Sequence, residues 1–364
     1  MSASAPKSGG VPAVFRSHEF ILFVVLVAEW IFFYFTGTSK NFSGATFGFG
    51  TLDAQIDIFR HGCEIGLLAL VMTPIILTGG IDLSVGSVLG FSAIIFGLLW
   101  HDAHASIAVA AAGALAMGAV AGGLNALLIT WLRLPPLIVT LGTFSLFRGL
   151  AEAITHGTIT YTNFPDSFIF LGNGRWPSFG PVDHPTWQGL PVQGYIFILV
   201  AIGVWLLVHR TAIGRSFRAI GYSPEGARYA GLPVNRRLAL AYILAGVVAA
   251  LAGIIFTARL GQAKADLGSG YELLAITAVV LGGTSIFGGS GSVHGTLLGA
   301  AAVAVLKDGL SLSHCPQPSE IGGMLTGLLL ILTLTASVLP KILSNRRSHR
   351  QTAPSTPQPS PPSP

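Results

Sequence analysis

Long apolar segments separated by short polar ones run along almost the whole chain. A helix that spans a bilayer needs about 20 apolar residues, and the segments that approach this length predict an all-α integral membrane protein with about ten transmembrane helices. Several are short enough to be broken or re-entrant, which leaves nine or eleven spans open. The ten segments lie near 19–36, 58–78, 83–100, 105–131, 137–155, 194–209, 238–260, 271–287, 293–312 and 321–340.

Polar stretches divide this pattern into regions. Residues 1–18 form a polar N-terminal arm, and residues 344–364 form a Pro- and Ser-rich tail that is expected to be disordered because it cannot bury a core. The transmembrane domain, 19–343, contains two long polar loops, 156–194 and 210–237. For the 156–194 loop two interpretations stay open: a face or lid for an extracytoplasmic partner, or an interfacial loop with an aromatic belt.

Composition supports the membrane assignment and excludes several classes of function. Hydrophobic residues make up 51% of the chain and charged residues only 10%, whereas soluble domains carry about 25% charged residues. The net charge of +5 does not indicate nucleic-acid binding, because the basic residues cluster at the ends of apolar segments. The two cysteines, Cys63 and Cys315, form no metal or redox motif, so no metal site is expected.

The distribution of basic residues predicts the orientation in the membrane. The 210–237 loop holds six arginines and one acid, Glu225, which places it on the cytoplasmic side. With ten spans both termini are then cytoplasmic, and 13 of the 20 Lys and Arg residues lie inside. The chain is therefore expected to be a multi-pass protein of a bacterial inner membrane.

The same loop contains a segment that predicts one short helix. Proline suits the first turn, glutamate suits the positive N-terminal end, and Gly-Leu-Pro stops the helix. A short stopped helix in a cytoplasmic loop indicates a surface for another protein. Its residues are Pro224, Glu225, Gly226, Ala227, Arg228, Tyr229, Ala230 and Gly231.

Two glycine-rich turns resemble each other. Residues 78–90 align without gaps to residues 287–299, with a glycine pair near the start of each and Leu-Gly at the end. In both, an apolar span is interrupted and a new helix begins at a polar residue. Internal repeats and broken helices are common in transporters, although in so glycine-rich a chain a chance match stays open.

A few polar side chains fall within the apolar segments. Asp82 opens a predicted helix, so it is either the N-cap or a polar residue at the end of a pathway. Glu64 either faces a cavity or partner or pairs with Arg60, four residues earlier. Candidate pathway residues are Glu64, Asn125, Thr140 and Thr143, although hydrogen bonds between helices explain the last three without a ligand.

Arg148, Glu152 and His156 form a stripe at the outer end of the fifth span. Pairing along the helix and snorkelling to the interface account for it, and a part in recognising a polar solute is the alternative.

Neither a Gly-x-x-x-x-Gly-Lys-Ser/Thr phosphate loop nor a His-Glu-x-x-His or Gly-x-Ser-x-Gly motif occurs. We therefore expect no cofactor and no catalysis in this chain.

Three segments resemble the permease subunits of ribose-type sugar ABC importers, whose members handle ribose, xylose, arabinose, galactose, rhamnose and autoinducer-2. These segments are 79–87, 136–143 and 278–292. The residues that carry the signature in the first and third segments are Gly79, Gly80, Asp82, Ser84, Gly86, Gly282, Gly283, Thr284, Gly288 and Gly289.

The resemblance implies a permease that passes a monosaccharide, ribose- or rhamnose-like, from a periplasmic sugar-binding protein across the inner membrane. It implies a second permease copy or homologue and a cytoplasmic ABC ATPase subunit that binds the ATP. The helix at 225–231 would be the coupling helix that sits in a cleft of this ATPase. The long 156–194 loop and the segment His101–His104 depart from the family pattern. A stand-alone secondary transporter, dependent on Asp82 and Glu64, is the alternative function.

Overall fold

The computed structural model describes residues 18–40, 46–177, 189–313, 316–318, 320–333 and 335. Within these ranges most residues are α-helical, which confirms the predicted fold class. Four short strands form two antiparallel pairs in the connections: β1 (Thr38–Lys40) with β2 (Thr46–Gly48), and β3 (Arg175–Trp176) with β4 (Leu190–Pro191).

The helices follow one another with short connections, and α7 continues into a single π-helical turn, Leu206–Arg210. In chain order they are α1 (His18–Gly37), α2 (Leu52–Leu77), α3 (Val85–His101), α4 (Ile107–Thr130), α5 (Pro136–Thr155), α6 (Asp166–Asn173), α7 (Val192–Trp205), α8 (Ala212–Tyr222), α9 (Pro224–Tyr229), α10 (Val234–Leu260), α11 (Tyr271–Leu281), α12 (Val293–Leu312) and α13 (Glu320–Thr333).

Ten of these helices coincide with the ten predicted apolar segments. Seven of them, α1, α2, α4, α5, α7 with its π turn, α10 and α12, are long and apolar enough to cross a membrane. The other three, α3, α11 and α13, are apolar and shorter over their described residues, and α3 and α11 are short as expected for interrupted spans. The described part of the chain therefore forms an all-α multi-pass membrane protein.

Helix α2 lies at the centre of the bundle, in contact with α7, α10, α11 and α12. From Cys63 to Leu77 every residue of α2 is buried, because protein surrounds this part of the helix on all sides. The surfaces of α1, α5 and α7 carry large exposed apolar side chains instead, such as Phe35 and Leu199, which are 76% and 72% exposed. Such side chains suit contact with lipid acyl chains.

Helices α4 and α10 pack closely along a seam where glycines let the two backbones touch. A Cβ on Gly122 would lie 2.8 Å from the Cα of Ile243 and would overlap the carbonyl of Tyr242. Gly118 and Gly246 face each other in the same way. Small residues at such crossings are the usual means by which membrane helices gain packing contacts.

Parts of the predicted domain division lie outside the described residues. These parts are residues 1–17 of the N-terminal arm, 178–188 of the outer loop and the whole 344–364 tail. The division into arm, membrane domain and tail stays a prediction.

The seam predicts opposite effects for two neighbouring glycines of α4. Gly122→Ala should lower the free energy of unfolding by about 1–3 kcal/mol, because its methyl group meets rigid backbone. Gly123→Ala, the matched control, meets nothing within 4 Å and should be neutral or slightly stabilising. Thermal unfolding of both variants in the same detergent measures the difference, and equal melting temperatures would contradict a backbone seam.

Candidate functional site

The polar loop between α7 and α10 folds into two short helices, α8 and α9. Thr211 caps α8, since its hydroxyl oxygen accepts hydrogen bonds from the amides of Ile213 and Gly214 at 3.1 and 3.3 Å. Helix α8 is amphipathic: Phe217 and Ile220 are buried against the bundle. The opposite face of α8 carries exposed Arg215.

Helix α9 forms where the sequence predicted a short helix. The Ser223 hydroxyl accepts a hydrogen bond from the Gly226 amide at 3.0 Å, Pro224 occupies the first turn, and Glu225 lies beside it. The chain leaves the helix through Gly231, whose φ of +78° is a conformation that glycine adopts without strain. The observed helix ends at Tyr229, two residues before the predicted stop.

The outer surface of α9 is exposed, and only its inner side touches the protein. Ala227 packs with Ile220 of α8 and Val234 of α10 in a small separate core. Two tyrosines flank the helix with almost their entire side chains in solvent, Tyr222 at 90% and Tyr229 at 91% exposure. Exposed aromatic side chains beside arginines are typical of a protein-binding surface.

The two glycine turns of the sequence repeat meet each other directly beside α8. The Gly289 amide donates a hydrogen bond of 2.9 Å to the carbonyl of Leu77, the last residue of α2. Gly79 and the aligned Gly288 share a left-handed conformation, with φ values of +81° and +84°. The Cβ of a side chain at Gly221 of α8 would overlap Leu77 and Gly289 together. We call the contact of these three backbones the glycine junction.

The other signature glycines also lie at close crossings. Gly282 touches the backbone of Gly295 at the contact between α11 and α12, and Gly283 ends α11 with a φ of +85°. Gly86 lies on the face of α3 that packs against Gly268 and the carboxylate of Glu272. Thr284 is buried at 2% exposure beside this turn.

Four of the predicted polar residues form one buried network. The Asp82 carboxylate accepts hydrogen bonds from the Ser84 amide and hydroxyl at 2.8 and 2.6 Å. Asn125 donates to the Ser84 hydroxyl at 2.8 Å and accepts from Thr143 at 2.7 Å. The network ties the turn between α2 and α3 to α4 and α5.

Two further residues adjoin this network. Thr140 donates a hydrogen bond of 3.1 Å to the carbonyl of Ile81. The hydroxyl of Tyr242, from α10, lies against Gly80, where a Cβ would come within 2.6 Å of the oxygen. The interpretation of Asp82 as a helix-opening cap was wrong by two residues, because α3 begins at Val85 and Asp82 holds the turn before it.

Glu64 lies apart from this network and pairs across the bundle. Its carboxylate accepts two hydrogen bonds from the Arg259 guanidinium, at 2.5 and 3.1 Å, and the Glu64 side chain is fully buried. The interpretation as a Glu64–Arg60 pair was wrong: Arg60 bonds Asp57 at 2.8 Å, one turn earlier on the exposed side of α2. Arg259 is long enough to reach the buried acid from the end of α10.

More charged groups surround this pair on the neighbouring helices. Lys307 of α12 lies over the ring of Tyr271, 4.7 Å from its centroid. His61 of α2 contacts the carboxylate of Asp308 at 2.8 Å. Sequence reasoning missed Arg259 and Lys307, although an ionisable residue within an apolar span is itself a signal of a paired or functional site.

The stripe on α5 is arranged differently from the prediction. Arg148 does not pair along the helix with Glu152: its guanidinium donates to the carbonyls of Ala265 and Leu267, in the connection between α10 and α11. His156 ends α5 in a left-handed conformation with a φ of +50°.

The unusual segment at the end of α3 makes contacts of its own. His101 bonds the Asp102 carboxylate at 2.7 Å, and the Tyr161 hydroxyl donates to it at 3.0 Å. These two hydrogen bonds, that of His101 first, hold the pKa of Asp102 below its ordinary value. The contact attaches the connection after α5 to the end of α3.

Interrupted apolar helices, a junction of two repeated turns and an exposed polar helix beside it together define a multi-pass transport protein. The chain belongs to the family described as branched-chain amino acid transport system / permease component, whose model matches residues 55–334. Members of this family are the non-catalytic membrane component of ABC transporters.

Among curated proteins the chain is similar to autoinducer 2 import system permease proteins LsrD. That of Yersinia pseudotuberculosis serotype O:1b (strain IP 31758) is 39% identical over 297 residues, which cover 79% of this chain and 86% of the relative. That of Yersinia pestis (strain Pestoides F) is 38% identical over the same length and shares. No solved structure matches the chain.

Breaking the ion pair between Glu64 and Arg259 should strongly destabilise the protein, and removing both charges together should restore most of the lost stability. Glu64→Gln should lower the free energy of unfolding by about 3–5 kcal/mol, because it leaves the guanidinium without its counter-charge. The double variant Glu64→Leu/Arg259→Met should recover most of this loss, since neither charge is then buried. Thermal unfolding in detergent measures both.

Asp53→Asn provides the control, because Asp53 is 78% exposed in its ion pair with Arg175 and a surface pair contributes about 0–1 kcal/mol. A double variant as unstable as Glu64→Gln alone would show that the pair is not the source of the effect.

Proposed function

We propose that this chain is the membrane-spanning subunit of an ATP-driven importer that carries a monosaccharide across the bacterial inner membrane. A separate cytoplasmic ABC ATPase binds the ATP, and a periplasmic sugar-binding protein delivers the solute. The observation that carries the proposal is the exposed helix α9, flanked by Tyr222 and Tyr229 and packed through α8 onto the glycine junction.

Charge supports the orientation of this assembly. Arg210, Arg215, Arg228 and Arg236 are exposed on the same side of the bundle as α9. The positive-inside bias places that side in the cytoplasm. Helix α10 begins beside α9 and, with 27 residues, rises about 40 Å, so its far end lies on the periplasmic side. Both chain termini are then cytoplasmic.

The contacts of α9 suggest how movement of the ATPase reaches the membrane. A force on α9 passes through Ala227 and Ile220 to α8. From Gly221 it passes without intervening side chains to Leu77 and Gly289, hence to both repeated turns. The buried hydrogen-bond network around Asp82 links the first turn to α4 and α5, so that these three parts move as one unit. We assign Asn125, Thr140 and Thr143 to holding this unit together rather than to lining the pathway.

The relatives suggest the substrate class. The signature turns resemble those of sugar importers, and the LsrD proteins are described as importing autoinducer 2. A monosaccharide such as ribose or rhamnose is our proposal, and autoinducer-2 is the first other solute to test. A second permease subunit, identical or homologous, completes the path. Glu64, one of the two acids on which a stand-alone secondary transporter would depend, is paired with Arg259, which supports the importer over that alternative.

The exposed residues of α9 should be required for binding the ATPase and not for folding. Glu225→Lys and Tyr229→Ala should each abolish recovery of the ATPase with the tagged permease and lower uptake at least tenfold. Expression and melting temperature should stay unchanged, because both side chains are in solvent. Mild-detergent purification followed by mass spectrometry measures the association.

Trp176→Ala is the control, because it removes an aromatic side chain that is 61% exposed on the opposite side of the bundle. The ATPase should still co-purify with this variant. Purification of the wild-type chain without any ATPase, with uptake that survives ATP depletion, would instead identify a secondary transporter.

The glycine junction should be needed for coupling after the ATPase has bound. Gly221→Ala forces the turns at Leu77 and Gly289 apart, so the ATPase should still co-purify while uptake falls at least tenfold. Gly203→Ala of α7, where nothing lies within 4 Å, should transport normally. Uptake is measured in membrane vesicles supplied with ATP. Normal uptake by Gly221→Ala would contradict force transfer through this contact.

A further inference from the structure

A polar pocket of about 310 Å³ opens at the end of the bundle opposite α9. One wall is the last turn of α5 with the connection that follows it, including Glu152, Thr158 and Thr160. The other wall is the segment Lys264–Asp266, between α10 and α11. None of these residues takes part in the coupling surface or the buried network described above.

The walls of this pocket are held in place by hydrogen bonds. Tyr161 and Ala263 exchange backbone hydrogen bonds of 2.9 and 2.8 Å, which joins the two walls at one end. The ring of Tyr161 packs against Gly97 of α3, and its hydroxyl bonds Asp102. From beneath, Arg148 donates to the carbonyls of Ala265 and Leu267. The pocket is therefore formed before any ligand enters.

The groups around the pocket match the chemistry of a sugar. The Glu152 and Asp266 carboxylates accept hydrogen bonds, Lys264 donates them, and the threonine hydroxyls do both. Lys264 and Asp266 already pair at 3.1 Å, so the lining carries both signs of charge. An uncharged polyol can bond to such a mixture, whereas a phosphorylated sugar would meet two carboxylates. The volume lies at the lower end of the roughly 300–1,000 Å³ typical of ligand sites, which suits a single small ring.

Two buried polar atoms of α5 and α11 also lack hydrogen-bond partners in the described part of the chain. Among the described residues, Nη2 of Arg148 and Oε2 of Glu272 make no hydrogen bond. Glu272 is only 8% exposed, and Arg148 lies one turn below Glu152 on α5. Leaving a buried donor or acceptor unbonded is energetically unfavourable.

We infer that this pocket is the receiving subsite for an uncharged monosaccharide released by the binding protein, with Glu152, Lys264 and Asp266 as its specificity-determining residues. The inference rests on the proposed function and adds to it the place where the permease itself first contacts the solute. It also assigns a role to Glu152, the member of the polar stripe on α5 that lines the pocket.

The test is protection of an engineered cysteine from a membrane-impermeant maleimide. Thr160→Cys is placed in a Cys63→Ala/Cys315→Ala background of the assembled transporter, in sealed right-side-out vesicles. The probe is the member of a panel of ribose, rhamnose and autoinducer-2 that wild-type cells import in an ATP-dependent manner. This sugar should slow labelling at Thr160→Cys at least twofold, and adding Glu152→Gln should remove the protection.

Ala103→Cys serves as the matched control, because it is exposed at the same end of the bundle but outside the pocket. Its labelling rate should not change with sugar. Equal labelling of Thr160→Cys with and without sugar, in a transporter that imports that sugar, would contradict the assignment of this pocket as a sugar subsite and leave the proposed function intact. Wild-type cells that import no monosaccharide in an ATP-dependent manner would overturn both.

Discussion

A polypeptide that breaks its helices inside a bilayer must still satisfy every backbone group it frees, and the architecture of this protein follows from that constraint. The last carbonyl of α2, on Leu77, is satisfied by the amide of Gly289 from the other repeated turn. The amide of Ser84 is satisfied by the Asp82 carboxylate. The break between α2 and α3 is thus repaired partly by the other repeated turn and partly by a side chain of its own turn. The bond from Gly289 also connects the two breaks directly.

The glycine junction and the ion pair between Glu64 and Arg259 connect the helices of the bundle in different ways. The glycine junction joins three segments through backbone alone, where no side chain can rearrange to absorb a displacement. Glu64, in the middle of α2, and Arg259, at the end of α10, hold these two helices together through a bidentate ion pair. Transporters built from repeated halves commonly rock one half against the other.

The sequence predicted the helices well and the partners of its polar residues poorly, for a physical reason. Hydrophobic runs, proline, glycine and capping residues are local signals, so the ten segments and helix α9 were found, although α2 begins six residues earlier and α11 ends six residues earlier than predicted. The meeting of Gly79 with Gly288, or of Glu64 with Arg259, depends on how helices pack across the bundle. Local spacing suggested Arg60 for Glu64 because residues four apart share a helix face. In the folded bundle Glu64 pairs instead with Arg259, whose long side chain reaches it from α10.

The ion pair also has a consequence for biogenesis. Glu64 precedes Arg259 by 195 residues, and bacterial chains grow at about 5–20 residues per second. Helix α2 therefore enters the membrane roughly 10–40 s before its counter-charge has been synthesised. During that interval the acid lacks its guanidinium partner. The order of synthesis makes completion of α10, rather than insertion of α2, the step at which the centre of the bundle becomes stable.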